Sequence, residues 1–576
     1  MKKTKILFDC VSWKYRGSDL WTLQNISLQV DEGDFVVVTG ATGAGKTTFC
    51  RLVNGLIPHG YPGTLKGRVY VNGENTINKT ISALSNDVGT VFEDPESQII
   101  WTSVADEVIF GLENRQMPKQ EIDVRLERVL KFLSLWDKKD KTPFELSGGQ
   151  KQRLALATIM ACNPSIIVLD EPTSQMDPVG RREVFEAIQK IRDEHNSTII
   201  IVEHNVSELI PIADKMILLN DGKLILCGTP EKYYQNLALI KKFKGPIPEM
   251  VELGAKLRSV GLTQRDCLTL TCIYEEIKKE LRPNENMFPK KSVLRNYGDS
   301  AIEVENLSYA YPDGTVALRG VNLRITEGEL VGVIGVNGSG KTTLAKIFNG
   351  LLKPSAGQVR IFGKPLAEYD SEKLVSVVGY VFQNPIHQIA AKTVFDETAF
   401  GMRNLGVREE EIEEKVNSLL RRFNLETRRS EHPYNLSRAD QFRVTLASVL
   451  AIDPKILVVD EPTTGQDLQQ SYEIMNTLKE ENSKRKTVVV ITHHLRFIAE
   501  YVPRVVFMLD GRVIFDGSTR DAFSDHVLLR DSLIDPPEVC KLAELLSLSV
   551  DGERPLTVEE AFGAILKTKS LSETPL

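Results

Sequence analysis

The chain has 576 residues, 42% hydrophobic and 26% charged, with 71 basic against 78 acidic side chains and a net charge of −7. That length exceeds one hydrophobic core and predicts three or four compact units, and the charge balance leaves no basic excess to make nucleic acid the main partner. No apolar run approaches the roughly 20 residues that span a bilayer. Seven cysteines, an odd number without a C-x-x-C pair, point to a reducing compartment, with Cys267 and Cys272 read as helix residues rather than metal ligands.

In chain order, Met1-Lys2-Lys3 lacks a following apolar segment and cleavage site, so no signal peptide is expected. Tyr15 can stack on a base or simply pack in a core. The strand-like run Phe35–Thr39 leads into Gly40-Ala41-Thr42-Gly43-Ala44-Gly45-Lys46-Thr47-Thr48, and a helix follows. Strand, glycine-rich turn and helix form the context that a P-loop requires. Its glycines let backbone N–H groups face phosphate oxygens, Lys46 neutralises the β- and γ-phosphates, and Thr47 offers a hydroxyl to Mg²⁺. ATP and Mg²⁺ are therefore the expected cofactors.

Leu146-Ser147-Gly148-Gly149-Gln150 precedes an apolar-periodic helix (Leu154, Leu156, Ala157, Ile159, Met160). Two glycines suggest a tight turn, and Ser147 stands where it can cap the helix. The N–H groups and positive dipole end at such a terminus suit a phosphate, although the loop alone reads equally well as an ordinary capped surface helix. Ile166–Leu169 then ends in Asp170-Glu171, 124 residues after Lys46. The first acid suits Mg²⁺, and the second can polarise an attacking water. His204 follows the apolar run Ile199–Val202. The end of a parallel strand is where ligands sit in such sheets, which favours contact with a γ-phosphate over simple packing.

The whole pattern recurs. Residues 8–15 match 304–311, and Tyr15 corresponds to Tyr311. Gly40–Thr48 match Gly335-Val336-Asn337-Gly338-Ser339-Gly340-Lys341-Thr342-Thr343, and Val88–Gln98 match Val378–Gln388. Ile166–Thr173 match Ile456–Thr463, which contains Asp460-Glu461, and His204 corresponds to His493. The offset falls from 295 at the lysines to 290 at the next motif, because the first copy has an excess around Pro58–Gly67. A repeat this long implies two domains rather than a solenoid. Alternation of β-branched runs with helical patterns predicts a doubly wound α/β core in each. Expected boundaries are an ATPase domain at 1–244, a helical tail and linker at 245–299, a second ATPase domain at 300–522 and a C-terminal helical tail at 523–576. Pro246, Pro248, Pro283 and Pro289 break the linker, and Lys278, Lys279, Lys290 and Lys291 make it mildly basic, as expected of a solvated surface.

P-loop, Q-loop, LSGGQ signature, Asp-Glu pair and switch histidine occur twice in this order, and the chain thereby resembles the ABC-type ATPases over almost its whole length. The resemblance implies tandem P-loop domains, each with an antiparallel β subdomain, a helical subdomain and a small C-terminal helical tail. It also implies that the two halves pair head to tail, with each ATP between one half's P-loop and the other's signature. Asn54-Gly55-Leu56-Ile57-Pro58-His59, Val91-Phe92-x-x-Pro95, Asp106-Glu107 with Phe110-Gly111, and Asp396-Glu397 with Phe400-Gly401 look like the ATPases of energy-coupling-factor importers. Such proteins take up vitamins or transition-metal ions. The likeness implies a peripheral subunit at the cytoplasmic face of the cell membrane, working with an integral coupling subunit and a substrate-binding membrane subunit. The acids at 106, 107, 396 and 397 would then face arginines of the coupling subunit, unless they merely favour a helix start.

Two departures stand out. The family's Q-loop glutamine is present as Gln383, a candidate Mg²⁺ ligand, but Glu93 takes its place in the first half. The signature is intact at Ser147–Gln150 and reads Ser437-Arg438-Ala439-Asp440 in the second half. Under head-to-tail pairing, one site combines Lys46, Glu93, Asp170, Glu171 and His204 with the degraded signature. The other combines Lys341, Gln383, Asp460, Glu461 and His493 with Ser147–Gln150. Rival readings are a tandem sugar-importer ATPase, or a soluble tandem ABC protein acting on ribosomes or DNA. The second lacks support from a basic linker or metal-binding cysteine pairs.

Overall fold

In the computed structural model, which describes residues 2–173, 176, 178–195, 197–279, 298–550 and 552–573, the strands Phe35–Gly40, Ile166–Asp170 and Thr198–Val202 are buried along their whole length. Their aliphatic runs suit a parallel sheet covered on both faces. Alternate residues divide between two cores: Phe35, Val37, Ile167, Leu169, Ile199 and Ile201 enter one, and Val36, Val38, Ile166, Val168, Ile200 and Val202 the other. Six strands lie in the order Lys223–Gly228, Lys215–Asn220, Phe35–Gly40, Thr198–Val202, Ile166–Asp170, Val88–Val91. All neighbours are parallel except the first pair. A four-stranded antiparallel sheet, in the order Leu23–Asp31, Thr4–Tyr15, Gly63–Val71 and Glu74–Asn75, supplies the β subdomain.

Helices Val104–Glu113, Lys119–Phe132 and Gly148–Ala161 form the helical subdomain of this half. The second half repeats both sheets, with the parallel strands Val378–Val381, Ile456–Asp460, Thr487–Ile491, Leu330–Ile334 and Arg504–Leu509, and the helices Val394–Asn404, Glu409–Arg422 and Arg438–Ile452. The extra residues of the first half include the short helical segment Leu56–His59. The chain divides into Met1–Arg258 with Thr263–Cys272, and Ser259–Leu262 with Ile273–Leu576. Helices follow each six-stranded sheet, among them Glu249–Ser259 and Leu270–Ile277 in the first half and Glu538–Leu545 and Val558–Glu573 in the second. Among the described residues no helix is long and apolar enough to cross a membrane.

One expectation is corrected. Cys267 lies in a loop, not a helix, and is joined by a disulfide to Cys272 in the helix Leu270–Ile277. The segment, with a sequence separation of 5, folds back on itself and brings the two Cα atoms 5.3 Å apart. Spacing alone could not reveal this, because the turn that closes it carries no motif. The linker residues Pro283, Pro289, Lys290 and Lys291 lie outside the described residues.

Candidate active sites

Parallel strands pointing the same way deliver their C-terminal ends to one edge. Val38 pairs with Val202, Asp170 with Val202, and Val91 with Leu169. The P-loop, Asp170-Glu171, Glu203-His204 and the Glu93 turn therefore emerge together, as ligand-binding segments do in open α/β sheets. Gly40, Gly43 and Gly45 all have positive φ, at 144°, 81° and 98°. A Cβ on Gly40 would come within 2.2 Å of the Leu219 carbonyl oxygen, so only glycine fits. At Gly43 a Cβ would meet nothing within 4 Å, so there the positive φ rather than space calls for glycine. The helix Lys46–Val53 begins without a side-chain cap or an acidic residue in its first turn. Its first N–H groups, without partners among the described residues, and its dipole fit a polyphosphate. Lys46 is buried, and its ammonium donates to the carbonyls of Gly40 and Ala41, each at 3.1 Å. Lys341 does the same to Gly335 and Val336, at 2.7 and 2.8 Å.

The two acid pairs share an unusual backbone. Glu171 and Glu461 have φ of +50° and +51°, a left-handed conformation that side-chain-bearing residues rarely adopt. Each is fixed by its N–H donating to the neighbouring strand, Glu171 to Val202 and Glu461 to Ile491. Strain held in place this way is common at sites where a side chain must be aimed. His204 Nε2 lies 2.9 Å from Glu171 Oε1, and His493 Nδ1 lies 2.8 Å from Glu461 Oε1. Burial pushes the Glu461 carboxyl up, but the adjacent His493, His494 and Lys341 more than offset this and hold it below the usual carboxylate range. It is an ionised base in place. The histidines thus meet the glutamates directly.

Asp460 Oδ2 accepts from Thr342 Oγ1 at 2.8 Å and from Tyr380 Oη at 3.0 Å. Its Oδ1 is buried and has no hydrogen-bond partner among the described residues, and the same holds for Asp170 Oδ1. Burial, reinforced by the adjacent glutamate, raises both aspartates to about 6, against the pull of hydrogen bonds from Thr47 and Thr342. A buried orphan carboxylate oxygen beside a threonine hydroxyl fits a hard cation such as Mg²⁺. That ion is commonly held by one or two carboxylates plus substrate phosphates and water. Among the described residues no cluster of three or more His, Cys, Asp or Glu stands ready to hold a metal alone. Gln383 and Glu93 are exposed beyond the strand ends, and Gln383 makes no hydrogen bond to Thr342 or Asp460 among the described residues. Tyr15 Oη lies 3.1 Å from Thr48 Oγ1 and Tyr311 Oη 2.9 Å from Thr343 Oγ1, which sets both rings beside the P-loop helices.

The signatures require another correction. Gly148 and Gly149 lie inside the helix Gly148–Ala161 and have no positive φ, so they do not make a tight turn. The second half also starts its helix without them, with Ser437 accepting from the Asp440 N–H at the head of Arg438–Ile452. What glycine leaves is a bare face, since a Cβ on Gly148 would meet nothing within 4 Å. No hydrogen bond among the described residues joins Ser147–Gln150 to the P-loop of its own half.

Of the acids expected to face a partner, Glu107 is only 4% exposed and Glu397 only 3%. Glu107 accepts from the N–H groups of Ile100 and Trp101 at 2.9 and 2.8 Å, and Glu397 from Ala390 and Ala391 at 2.8 and 2.7 Å. They staple the preceding loop to the helix and are not available to a partner's arginines. Asp106 remains exposed, while Asp396 is paired with Arg403 at 2.9 Å. Sequence reasoning missed Tyr380, whose first-half counterpart is Thr90, and Glu203, whose counterpart is Thr492. Neither belongs to a motif. The only signal was that the two copies differ beside otherwise matching residues.

A profile of the ABC transporter family matches residues 23–174 and 318–464. An ABC transporter ATP-binding protein of Caldanaerobacter subterraneus, so named provisionally, is 38% identical over 96% of this chain and 98% of its own length. A Bacillus subtilis protein, provisionally named HMP/thiamine import ATP-binding protein YkoD, is 33% identical over 90% of this chain and 92% of its own. Among solved structures, CbiO1 of Clostridium perfringens, described as part of the ABC transporter complex CbiONQ, is 36% identical. It covers 43% of this chain and 100% of its own, with a TM-score of 0.37.

Proposed function

The chain belongs to the ABC transporter family of ATP-binding proteins and is an ATP-hydrolysing enzyme of two tandem cassettes; from that premise we propose that it powers an energy-coupling-factor importer of vitamins or transition-metal ions. The observation that carries this reading is the similarity, over 90% of this chain and 92% of the relative, to a protein provisionally named for HMP/thiamine import. The segment Asn54–His59 and the exposed Asp106 support it.

The proposed roles follow from the geometry of each half. The P-loops bind the phosphates through backbone N–H groups and through Lys46 and Lys341. Asp170 with Thr47, and Asp460 with Thr342, hold Mg²⁺, which supplies charge neutralisation to the terminal phosphates when bound. Glu461 orients or deprotonates the attacking water, and His493 holds that carboxylate in place. Glu171 and His204 take the same parts in the first half. Head-to-tail pairing would complete each site with the other half's signature. Glu93 and Ser437–Asp440 would then fall in one site and leave the other to consensus. The chain would work at the cytoplasmic face of the membrane, docked to an integral coupling subunit beside a substrate-binding subunit.

Affinity purification of the tagged full-length chain from detergent-solubilised membranes tests the reading. A multi-spanning protein should copurify in stoichiometric amount and stimulate ATP hydrolysis. Recovery of the chain with ribosomes, or only in the soluble fraction, would contradict it.

A further inference from the structure

One buried acid has no part in the scheme above. Glu203 directly follows the strand Thr198–Val202, precedes His204 and is 3% exposed. Its carboxylate Oε1 accepts from the Thr173 N–H at 3.0 Å and from the Thr173 hydroxyl at 2.7 Å. Thr173 lies in the loop just after Glu171. In the second half the corresponding residue, Thr492, does something different. Its hydroxyl donates to Glu461 Oε2 at 3.2 Å and accepts from the His494 N–H at 3.0 Å. Thr463, the counterpart of Thr173, is hydrogen-bonded to His494 instead. Glu461 is therefore held on both oxygens, by His493 on one and Thr492 on the other. Once ionised, Glu203 only accepts hydrogen bonds and cannot offer Glu171 what Thr492 offers Glu461.

We propose that Glu203 is a positioning residue that slows hydrolysis in the first half, tying down the loop at Thr173 and setting a second carboxyl near Glu171 in place of a hydroxyl donor. The inference rests on the reading that Glu171 acts on the attacking water. The groups facing Glu203 are Glu171, which disfavours its ionisation, and His204, which favours it, while Lys46 lies 3.9 Å from Glu171. Burial is the largest influence and raises the Glu203 carboxyl to about 7, against the pull of the hydrogen bonds from Thr173. A raised value means that the proton is held below that pH and lost above it. Rising pH therefore adds a buried negative charge beside Glu171 and a bound polyphosphate, which opposes attack on phosphorus.

The test uses the full chain carrying Glu461→Gln, so that the remaining hydrolysis reports the first half, measured from pH 6 to 9. The remaining rate should fall as pH rises through about 7. Glu203→Thr should raise it about tenfold at pH 8 and abolish the fall. Glu203→Gln, isosteric and still able to accept from Thr173, should abolish the fall with a smaller gain. An unchanged rate and profile in both folded variants, or a remaining rate that stays unmeasurable in Glu203→Thr, would overturn the proposal. Adding Glu171→Gln separates the two levels. If it abolishes the remaining rate while the Glu203 variants change nothing, only the role of Glu203 fails. If it changes nothing, the role of Glu171 fails and the inference falls with it.

Discussion

At the scale of single residues, Asp440 marks the deepest difference between the signatures. In the first half Ser147 and Gln150 cap each other: the Gln150 N–H donates to Ser147 Oγ at 3.4 Å, and the Ser147 N–H to Gln150 Oε1 at 3.2 Å. Among the described residues the Ser147 hydroxyl donates to no acceptor, which leaves its proton for an anion. In the second half the Ser437 hydroxyl donates to Asp440 Oδ2 at 3.0 Å, so its proton is taken and a carboxylate stands where an amide stood. Ala439, by contrast, is fully buried and turned away from that face. Asp440→Gln should therefore restore more than Ala439→Gly. With Glu461→Gln as background, it should raise single-turnover hydrolysis about tenfold, since one oxyanion donor is typically worth 10²–10³ in rate and part of that is recoverable. Equal rates for Asp440→Gln and its parent, with a gain from Ala439→Gly, would place the defect in the lost glycines.

At the scale of elements, the helices Val104–Glu113 and Val394–Asn404 show what adjacent acids can conceal. Neighbouring positions differ by about 100° around a helix, so Asp106 faces water while Glu107 points into the loop at Ile100 and Trp101. Glu107→Ala should cost about 3 kcal/mol through two lost charge-assisted bonds. It should lower the melting temperature of the first half by several degrees. Asp106→Lys should change stability by no more than about 0.5 kcal/mol. Calorimetry on the full chain checks both, and equal small shifts would contradict the buried staple. Much of this architecture was legible beforehand. Strands buried on both faces appear as unbroken runs such as Ile199–Val202, and the P-loop glycines sit where positive φ demands them. Other features had no sequence signal. The left-handed backbone of Glu171 and Glu461, the Tyr380 hydroxyl on Asp460 and the inward turn of Glu107 and Glu397 all depend on neighbours brought in from distant segments. Gly148 was misread because a glycine that clears a face and one that turns a chain look alike in sequence.

At the scale of the whole molecule, two copies of one design have diverged around a shared chemistry. Both keep the lysine cradle, the aspartate with a free buried oxygen and the glutamate aimed by a histidine. In the second half Thr492 donates its hydroxyl to the glutamate and Tyr380 to the aspartate, positions that Glu203 and Thr90 occupy in the first half. The first half carries Glu93 and Glu203 instead, and the second signature carries Asp440. Under the proposed pairing these substitutions accumulate at one nucleotide, so turnover should rest on the other. The most direct measurement compares steady-state ATP hydrolysis of Glu461→Gln and Glu171→Gln in the full-length chain, with nucleotide binding confirmed in both. Loss of a general base typically costs about 10²–10⁴ in rate. The account predicts a loss of that size for Glu461→Gln and a substantial remaining fraction for Glu171→Gln; equal losses in the two variants, or a greater loss for Glu171→Gln, would contradict it.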